Sequence, residues 1–230
     1  MESDQEIQNA SRDIVSFTDS YVQNKQRKLN QQQESESTLS LAQVTSSLES
    51  LLRQIDNRKS YKQVIRIPKL LQSLIALVTF RLGTHLREEK DLLILKVRRQ
   101  SRECLRYIQV YGDKQIQKEL VNVGYGRVMS LSFSTAGGIG EEQDLEIRSG
   151  LSDISRFFRQ LHEGRNNYGY RPFQPLPLLA RVSLEQIEEE GANEEIEAQM
   201  NNNGLGGGIK AWGNLTKAVI LNHFIHRHLS

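Results

Sequence analysis

The chain has 230 residues, of which 37% are hydrophobic and 25% are charged. This composition is typical of a globular protein of one or two domains and argues against a disordered or collagen-like chain. The formal net charge of +2, from 30 Lys and Arg against 28 Asp and Glu, lacks the positive excess with which nucleic-acid-binding proteins neutralise phosphates.

Three features of the sequence argue against a membrane or secreted protein. The most apolar run, Leu70 to Phe80, is shorter than the roughly 20 apolar residues that span a bilayer. The acidic first residues lack the cationic and apolar regions of a signal peptide, and the single cysteine, Cys104, cannot form an internal disulfide. We therefore predict a cytoplasmic or nuclear protein that binds neither a membrane nor nucleic acid.

Apolar residues recur every three or four positions along most of the chain, which is the period of an α-helix. The predicted elements, in chain order, are a helix at 7–29, a Gln- and Ser-rich linker at 31–37, a helix at 41–55, a short segment at 60–65, a helix whose first turn contains Pro68, a long helix that ends at Gly112, a short helix at 113–123, a helix around 128–131, a glycine-rich turn at 136–140 and a long helix at 141–162. An irregular passage follows at 165–177, and helices resume beyond it. The predicted fold class is all-α, with an N-terminal helix and linker over 1–38 and a helical repeat domain over 39–230.

The long helix before Gly112 combines an apolar face with basic residues. Its predicted apolar face includes Leu92, Leu95, Val97, Cys104, Leu105 and Ile108. Arg98, Arg102 and Arg106 follow one another at intervals of four residues and form a stripe along this helix. Guanidinium groups bind carboxylates and phosphates through paired hydrogen bonds, so this stripe is the best candidate binding feature. The alternative interpretation is a solvated outer face.

The order short helix, glycine, medium helix, long helix characterises the second half of the chain. The residues from Asp113 to Gly124 and those from Asn193 to Gly204 share apolar positions and a glycine at the same spacing, about two repeats of roughly 40 residues apart. Each group of two or three helices has more apolar surface than it can bury alone, so neighbouring groups are expected to stack on a continuous core. The pattern therefore predicts a helical repeat protein.

Several motifs resemble one family of helical repeats. Residues 67–71, Ile-Pro-Lys-Leu-Leu, are similar to the I-P-x-L opening of the second helix of an armadillo repeat. Residues 104–108 and 150–154 stand where the A-L-x-N-L centre of the third helix is due, and residues 114–124 are similar to a first helix. The resemblance covers roughly residues 46–230 and implies a right-handed solenoid of about three irregular repeats. The related HEAT repeats are an alternative.

The resemblance also implies a function and residues that carry it. Armadillo repeats bind extended partner segments on a concave face, to which an asparagine of the third helix contributes. Tyr107 and Asp153 take the place of that asparagine here, whereas Asn214 restores one in a similar local context. Arg156 lies next to two phenylalanines on a second mixed helix. The predicted partner-binding residues are therefore Arg98, Arg102, Arg106, Tyr107, Asp153, Arg156 and Asn214.

Three other patterns have a functional interpretation and a simpler one. His223 and His226 share a helical face that could contact a metal, but no cysteine lies near them, so a solvated terminal helix is favoured. The glycine-rich stretch 204–210 lacks the Gly-Lys-Ser/Thr order of a phosphate-binding loop, so a turn is favoured. Cys104 lies among apolar positions and is interpreted as a buried side chain. We predict no catalytic residue, metal or cofactor, and hence no enzyme.

The sequence thus predicts a non-catalytic protein-interaction module. It would bind an acidic or extended segment of a protein or peptide on the concave face of an armadillo-like solenoid. The alternative is a structural subunit of a larger multiprotein assembly, whose helices pack permanently against a partner. Such a subunit would aggregate when isolated, whereas a binding module would be a soluble monomer.

Overall fold

The computed structural model describes residues 2–27, 38–56, 61–81, 88–134 and 141–225. Its helices, in chain order, are α1 (Glu2–Arg27), α2 (Thr38–Asp56), α3 (Tyr61–Val64), α4 (Leu70–Val78), α5 (Glu88–Tyr111), α6 (Lys114–Asn122), α7 (Tyr125–Ser134), α8 (Glu141–Glu163), α9 (Pro177–Glu189), α10 (Ala192–Gln199) and α11 (Gly208–Ile225). Within these residues there is no β-strand, only an isolated bridge between Arg165 and Phe173. The predicted all-α fold class is therefore confirmed.

One helix start differs from the prediction. Pro68 was expected in the first turn of a helix, but α4 begins two residues later, at Leu70. Lys69, which precedes it, has a φ of 64° and so adopts the left-handed conformation, which a right-handed helix cannot continue. The predicted linker at 31–37 and the glycine-rich turn at 136–140 lie outside the described residues.

The chain divides into two compact units, Met1–Gly112 and Asp113–Ser230. This division differs from the predicted one, which separated 1–38 from 39–230. The physical reason is the packing of α1, which contacts α2 and α4 and is therefore part of the core of the first unit. The N-terminal helix is therefore packed within the first unit.

In the first unit, four helices contact one another in a cycle. α2 packs against α1 and α5, and α4 packs against the same two helices. Phe80, which follows α4, is fully buried, and its ring meets those of Phe17 and Tyr21 on α1 at centroid distances of 5.5 and 4.7 Å. Each such large apolar side chain contributes about 1.5–3 kcal/mol on burial, so these contacts fix α1 onto the core.

In the second unit, α7 packs against α8 and α9, and α11 packs against α8 and α10. Asp113 caps α6, because its Oδ1 accepts hydrogen bonds from the backbone N–H groups of Gln115 and Ile116 at 3.1 and 3.3 Å. The rings of Tyr125 on α7 and Phe157 on α8 meet edge to face at 5.0 Å. The cap stabilises the start of α6, and the aromatic contact holds α7 against α8.

The irregular passage predicted at 165–177 is a loop built around one buried arginine. The backbone N–H of Arg165 donates to the carbonyl oxygen of Phe173 at 2.8 Å, and the N–H of Phe173 donates back at 2.9 Å. Arg165 Nε donates to the carbonyl oxygen of Arg171 at 2.9 Å, and its guanidinium lies 4.7 Å from the centroid of the Phe173 ring. Tyr168, at the tip of this loop, is fully exposed.

A substitution at Gly164 tests how closely this loop packs against the end of α8. Gly164 has a φ of 76°, and a Cβ at this position would lie 2.6 Å from the carbonyl oxygen of Phe173. The Gly164→Ala substitution therefore combines left-handed strain with overpacking and is expected to lower the free energy of unfolding by about 2–4 kcal/mol in urea denaturation.

Gly206 provides the matched control for this substitution. Its φ is 63°, but a Cβ there would meet no atom within 4 Å. Gly206→Ala should therefore lower the free energy of unfolding by the strain alone, about 1–2 kcal/mol. Equal losses in the two variants would show that the close approach to Phe173 is not a constraint.

Candidate partner-binding surface

The inner face of α5 is part of the core of the first unit. Its buried residues are Ile94, Val97, Ser101, Cys104, Leu105 and Ile108. Ser101 Oγ donates to the carbonyl oxygen of Val97 at 2.8 Å, so the one hydroxyl in this face is satisfied within the helix. The apolar contacts with α2 and α4 fix which side of α5 points into the core.

Polar contacts at the edge of this face hold α5 against α2. Lys96 Nζ forms an ion pair with Glu49 at 2.6 Å, and Gln100 Nε2 donates to the same carboxylate at 3.0 Å. The pKa of Glu49 is below its ordinary value because hydrogen bonds stabilise the ionised carboxylate. The bond from Lys96 has the larger effect, and the bond from Gln100 has the next largest. Lys96 is therefore engaged within the fold.

The opposite side of α5 presents leucines as well as arginines. Leu92 and Leu95 were predicted in the apolar face but are 63% and 48% exposed. The reason is the helical period: at about 100° per residue, they lie on the side of α5 opposite Val97 and Cys104. We call the set Leu92, Leu95, Arg99, Arg102 and Arg106 the α5 outer face.

The predicted arginine stripe only partly coincides with this surface. Arg98 lies near the edge of the core face and is half-buried, whereas Arg99 is exposed. Arg102 and Arg106 are also half-buried, and Arg106 pairs with Glu103 on the same helix, at 2.6 Å from Nη2 to Oε2. The arginine that is most accessible on α5 is therefore Arg99, which the predicted stripe omitted.

Tyr107 lies beside the predicted stripe and contacts it. The guanidinium of Arg106 is 4.4 Å from the centroid of the Tyr107 ring, and this ring stacks on that of Tyr111 with centroids 5.8 Å apart. Tyr107 is half-buried. Its aromatic face is thus already covered in part by neighbours on its own helix.

The remaining predicted residues lie in the second unit. Asp153 and Arg156 on α8 pair with each other at 3.4 Å, and the side chain of Asp153 is only 13% exposed. Asn214 on α11 is exposed, but its Nδ2 donates to the carbonyl oxygen of Lys210 at 2.8 Å, one turn earlier on the same helix. The seven predicted residues therefore form two groups, four in the first unit and three in the second.

The other sequence patterns are placed as follows. Within the stretch 204–210, residues 204–207 form a turn between α10 and α11, with positive φ at Leu205, Gly206 and Gly207, and residues 208–210 begin α11. Among the residues that the structure describes, no group of three or more His, Cys, Asp or Glu side chains is placed to hold a metal, and His226 lies outside them. Within the same ranges, no helix has the length and apolar character needed to cross a membrane.

Searches of protein-family models, curated proteins and solved structures find no match to this chain. The resemblance to armadillo repeats therefore stays a prediction from the motifs.

Spacing groups the residues of the α5 outer face but does not show which face is exposed, because the buried residues Ile94, Val97, Ser101, Cys104 and Ile108 follow the same intervals. The residues of the α5 outer face follow one another at intervals of three, four, three and four positions, which is the heptad pattern of one helical face. Intervals of four alone drift around the helix, and this drift carried the predicted stripe from the core edge at Arg98 to the outer side at Arg106. The two leucines were missed because apolar residues were assigned to the core by type.

The Glu49–Lys96 contact predicts a pH-dependent contribution to stability. Because the folded pKa of Glu49 is lowered, this contribution is present above the unfolded pKa and is lost as the pH falls through the folded pKa. Glu49→Gln should cost less than about 1 kcal/mol near neutral pH, since the pair is partly exposed, and nothing in strong acid. Urea denaturation at both pH values, in a double-mutant cycle with Lys96→Gln, measures the coupling. An equal cost at both pH values would contradict this assignment.

The burial of Cys104 predicts that its thiol reacts slowly in the folded chain. The thiol is fully buried, and burial raises its pKa, so little reactive thiolate forms in the folded state. We expect alkylation by iodoacetamide to be slower in the native chain than in urea by about a hundredfold or more, which corresponds to about 3 kcal/mol of opening. Cys104→Ala is the labelling blank. Similar rates in both states would show that α5 separates readily from α2.

Proposed function

We propose that this chain is a non-catalytic protein-interaction module that binds an acidic segment of a partner protein on the α5 outer face. The observation that carries the proposal is the exposure of Leu92, Leu95 and Arg99 on one side of a helix whose other side is buried. Single exposed leucines are common, but the centres of protein interfaces are more apolar than the rest of the surface, and interfaces are enriched in arginine.

The charge of this surface supports an acidic partner. Arg99, Arg102 and Arg106 lie on the α5 outer face together, and guanidinium groups pair with carboxylates through two parallel hydrogen bonds. Arg106 pairs with Glu103 on the same helix, whereas Arg99 forms no ion pair with a residue that the structure describes. The partner is therefore proposed to be a protein or peptide in the cytoplasm or nucleus, bound without a cofactor and without catalysis.

The armadillo-like fold belongs to the same proposal. Each unit contains two helices of ten residues or fewer followed by one of more than 20 residues, α3 to α5 in the first and α6 to α8 in the second. This is the order of helices in the repeats that the motifs resemble. It supports an armadillo-like solenoid of about three irregular repeats, with a concave binding face, as the proposed architecture.

A structural subunit is the second candidate function, favoured by exposed apolar residues on α9. Leu178 and Val182 lie one turn apart and are 75% and 42% exposed. Unlike α5, the helix α9 contains a single basic residue, Arg181, which pairs with Glu185 at 3.0 Å. A mainly apolar surface of this kind suits permanent assembly better than recognition of an acidic segment.

The test is affinity capture of partners from cells that produce this protein, with wild type and charge-reversed variants side by side. Arg99→Glu with Arg102→Glu reverses the α5 outer face, and Arg148→Glu with Arg159→Glu reverses two exposed arginines on α8 as the matched control. We expect the first pair to reduce retention of a specific acidic partner about tenfold or more, and the control pair to leave it unchanged.

Circular dichroism of each variant shows whether helical content is preserved, so that loss of binding is not confused with unfolding. Arg98 is left intact because a carboxylate at the core edge would disturb the fold. Identical complexes with wild type and the Arg99/Arg102 variant, lost instead on substitution of Leu178 and Val182 by Gln, would overturn the proposal and favour the structural subunit.

A further inference from the structure

The spacing of the α5 outer face contains information about the shape of its partner. Its five residues recur at intervals of three and four positions, so their side chains are about 4.5–6 Å apart along the helix axis. From Leu92 to Arg106 this surface extends over about 21 Å, or four helical turns. A partner that contacts all five residues must repeat its own side chains at nearly the same interval.

An α-helix meets this condition and an extended segment does not. Two helices that lie side by side have the same rise, so positions spaced by three and four residues remain in register over several turns. In an extended chain, side chains on one face recur about every 6.6–6.8 Å, and four such intervals exceed the roughly 21 Å of the α5 outer face by about 6 Å, or nearly two residues of extended chain. Lengthwise packing therefore selects a helical partner.

The order of chemistry along the α5 outer face sets the composition of that helix. The end nearer the start of α5 carries the exposed leucines, and the end nearer Tyr111 carries the three arginines. A complementary helix has apolar residues at one end of its contact face and acidic residues at the other. Arg99 is the most exposed of the three arginines and forms no ion pair with a residue that the structure describes, so the strongest charge pairing is expected there.

A second copy of α5 does not fit this surface. In a parallel pair, Arg99, Arg102 and Arg106 would face their own copies, and like charges repel. In an antiparallel pair, Leu92 would face Arg106 of the other copy, which places an apolar side chain against a charge and leaves two central Arg99 groups together. Neither arrangement is complementary, so the occupant is another protein.

We infer that the partner segment is an amphipathic α-helix of about four turns, which lies along the α5 outer face with leucine-like residues against Leu92 and Leu95 and carboxylates against Arg99 and Arg102. The inference rests on the proposed function and specifies the partner of that surface. It also distinguishes the site from one that reads an extended peptide.

Synthetic peptides of about 20 residues test the inference by fluorescence anisotropy with the full chain. The matched peptide carries two leucines and then three glutamates at intervals of three, four, three and four positions. A second peptide of identical composition disperses these residues around the helix, and a third contains a central proline. We expect the matched peptide to bind about tenfold or more tightly than either of the others, a difference of about 1.4 kcal/mol.

Variants of the protein locate the binding. Leu92→Gln with Leu95→Gln should weaken the matched peptide about tenfold, whereas Leu145→Gln, at a leucine on α8 that is 49% exposed, should not change it. Equal binding of the matched and proline-containing peptides, weakened by Arg99→Glu and Arg102→Glu but not by the leucine variants, would overturn the helical partner while the proposed function stands.

Two further outcomes are decisive. Binding of every peptide that is insensitive to all α5 variants would overturn both the inference and the proposed site. Sedimentation of the chain alone tests the remaining occupant: a dimer that dissociates on substitution of Leu92 and Leu95 would show that a second copy covers the surface. A monomer that binds the matched peptide preferentially supports the inference.

Discussion

The rotation of α5 about its own axis is the constraint on which the first unit depends. Val97, Cys104 and Leu105 must point between α2 and α4, and this requirement leaves only one side of the helix for solvent. The Glu49 contacts at the edge reinforce the same rotation. Core packing and the candidate binding surface are therefore two consequences of one orientation, and a change to the inner face would also displace the outer one.

The cycle of α1, α2, α5 and α4 explains why the N-terminal helix belongs to the fold. α1 closes the cycle by covering the sides of α2 and α4, and it is fixed there by polar contacts as well as by Phe80. Glu6 accepts hydrogen bonds from Ser50 and Gln54 at 2.9 and 2.7 Å, and Asp13 accepts one from Ser47 at 3.0 Å. The first unit thereby buries one face of each of these four helices against its neighbours.

Periodicity predicted the helices well because burial of one face imposes it directly on the sequence. It located α5, α6 and α8, and the proline, tyrosine and asparagine content of 165–177 located the loop. The division into units could not be predicted, because it depends on which apolar faces pack against each other. Contacts between distant helices produce no recognisable pattern in the local sequence. Lys69 illustrates a similar limit. Its left-handed backbone conformation cannot be recognised from the residue type, and it explains why α4 begins at Leu70, after Pro68.

The candidate site was also predicted only in part, because it too depends on contacts between helices that the local sequence does not show. The arginines of α5 were identified by residue type, but their accessibility depends on the angle of each about the helix axis relative to the core. Arg98 and Arg99 differ by one position and fall on opposite sides of that boundary. Asn214 shows the converse case, since an amide that suits partner recognition by its motif instead bonds to its own helix at Lys210.

The loop around Arg165 has a consequence for how the second unit can be handled. Its base is closed by the reciprocal backbone bonds with Phe173 and by the bond from the N–H of Leu176 to the carbonyl oxygen of Leu161 at 2.7 Å. These bonds separate the tip at Tyr168 from α8 and α9. Added residues at the tip would project into solvent rather than strain the helices, which makes it the natural point for inserting a fluorescent label or an epitope.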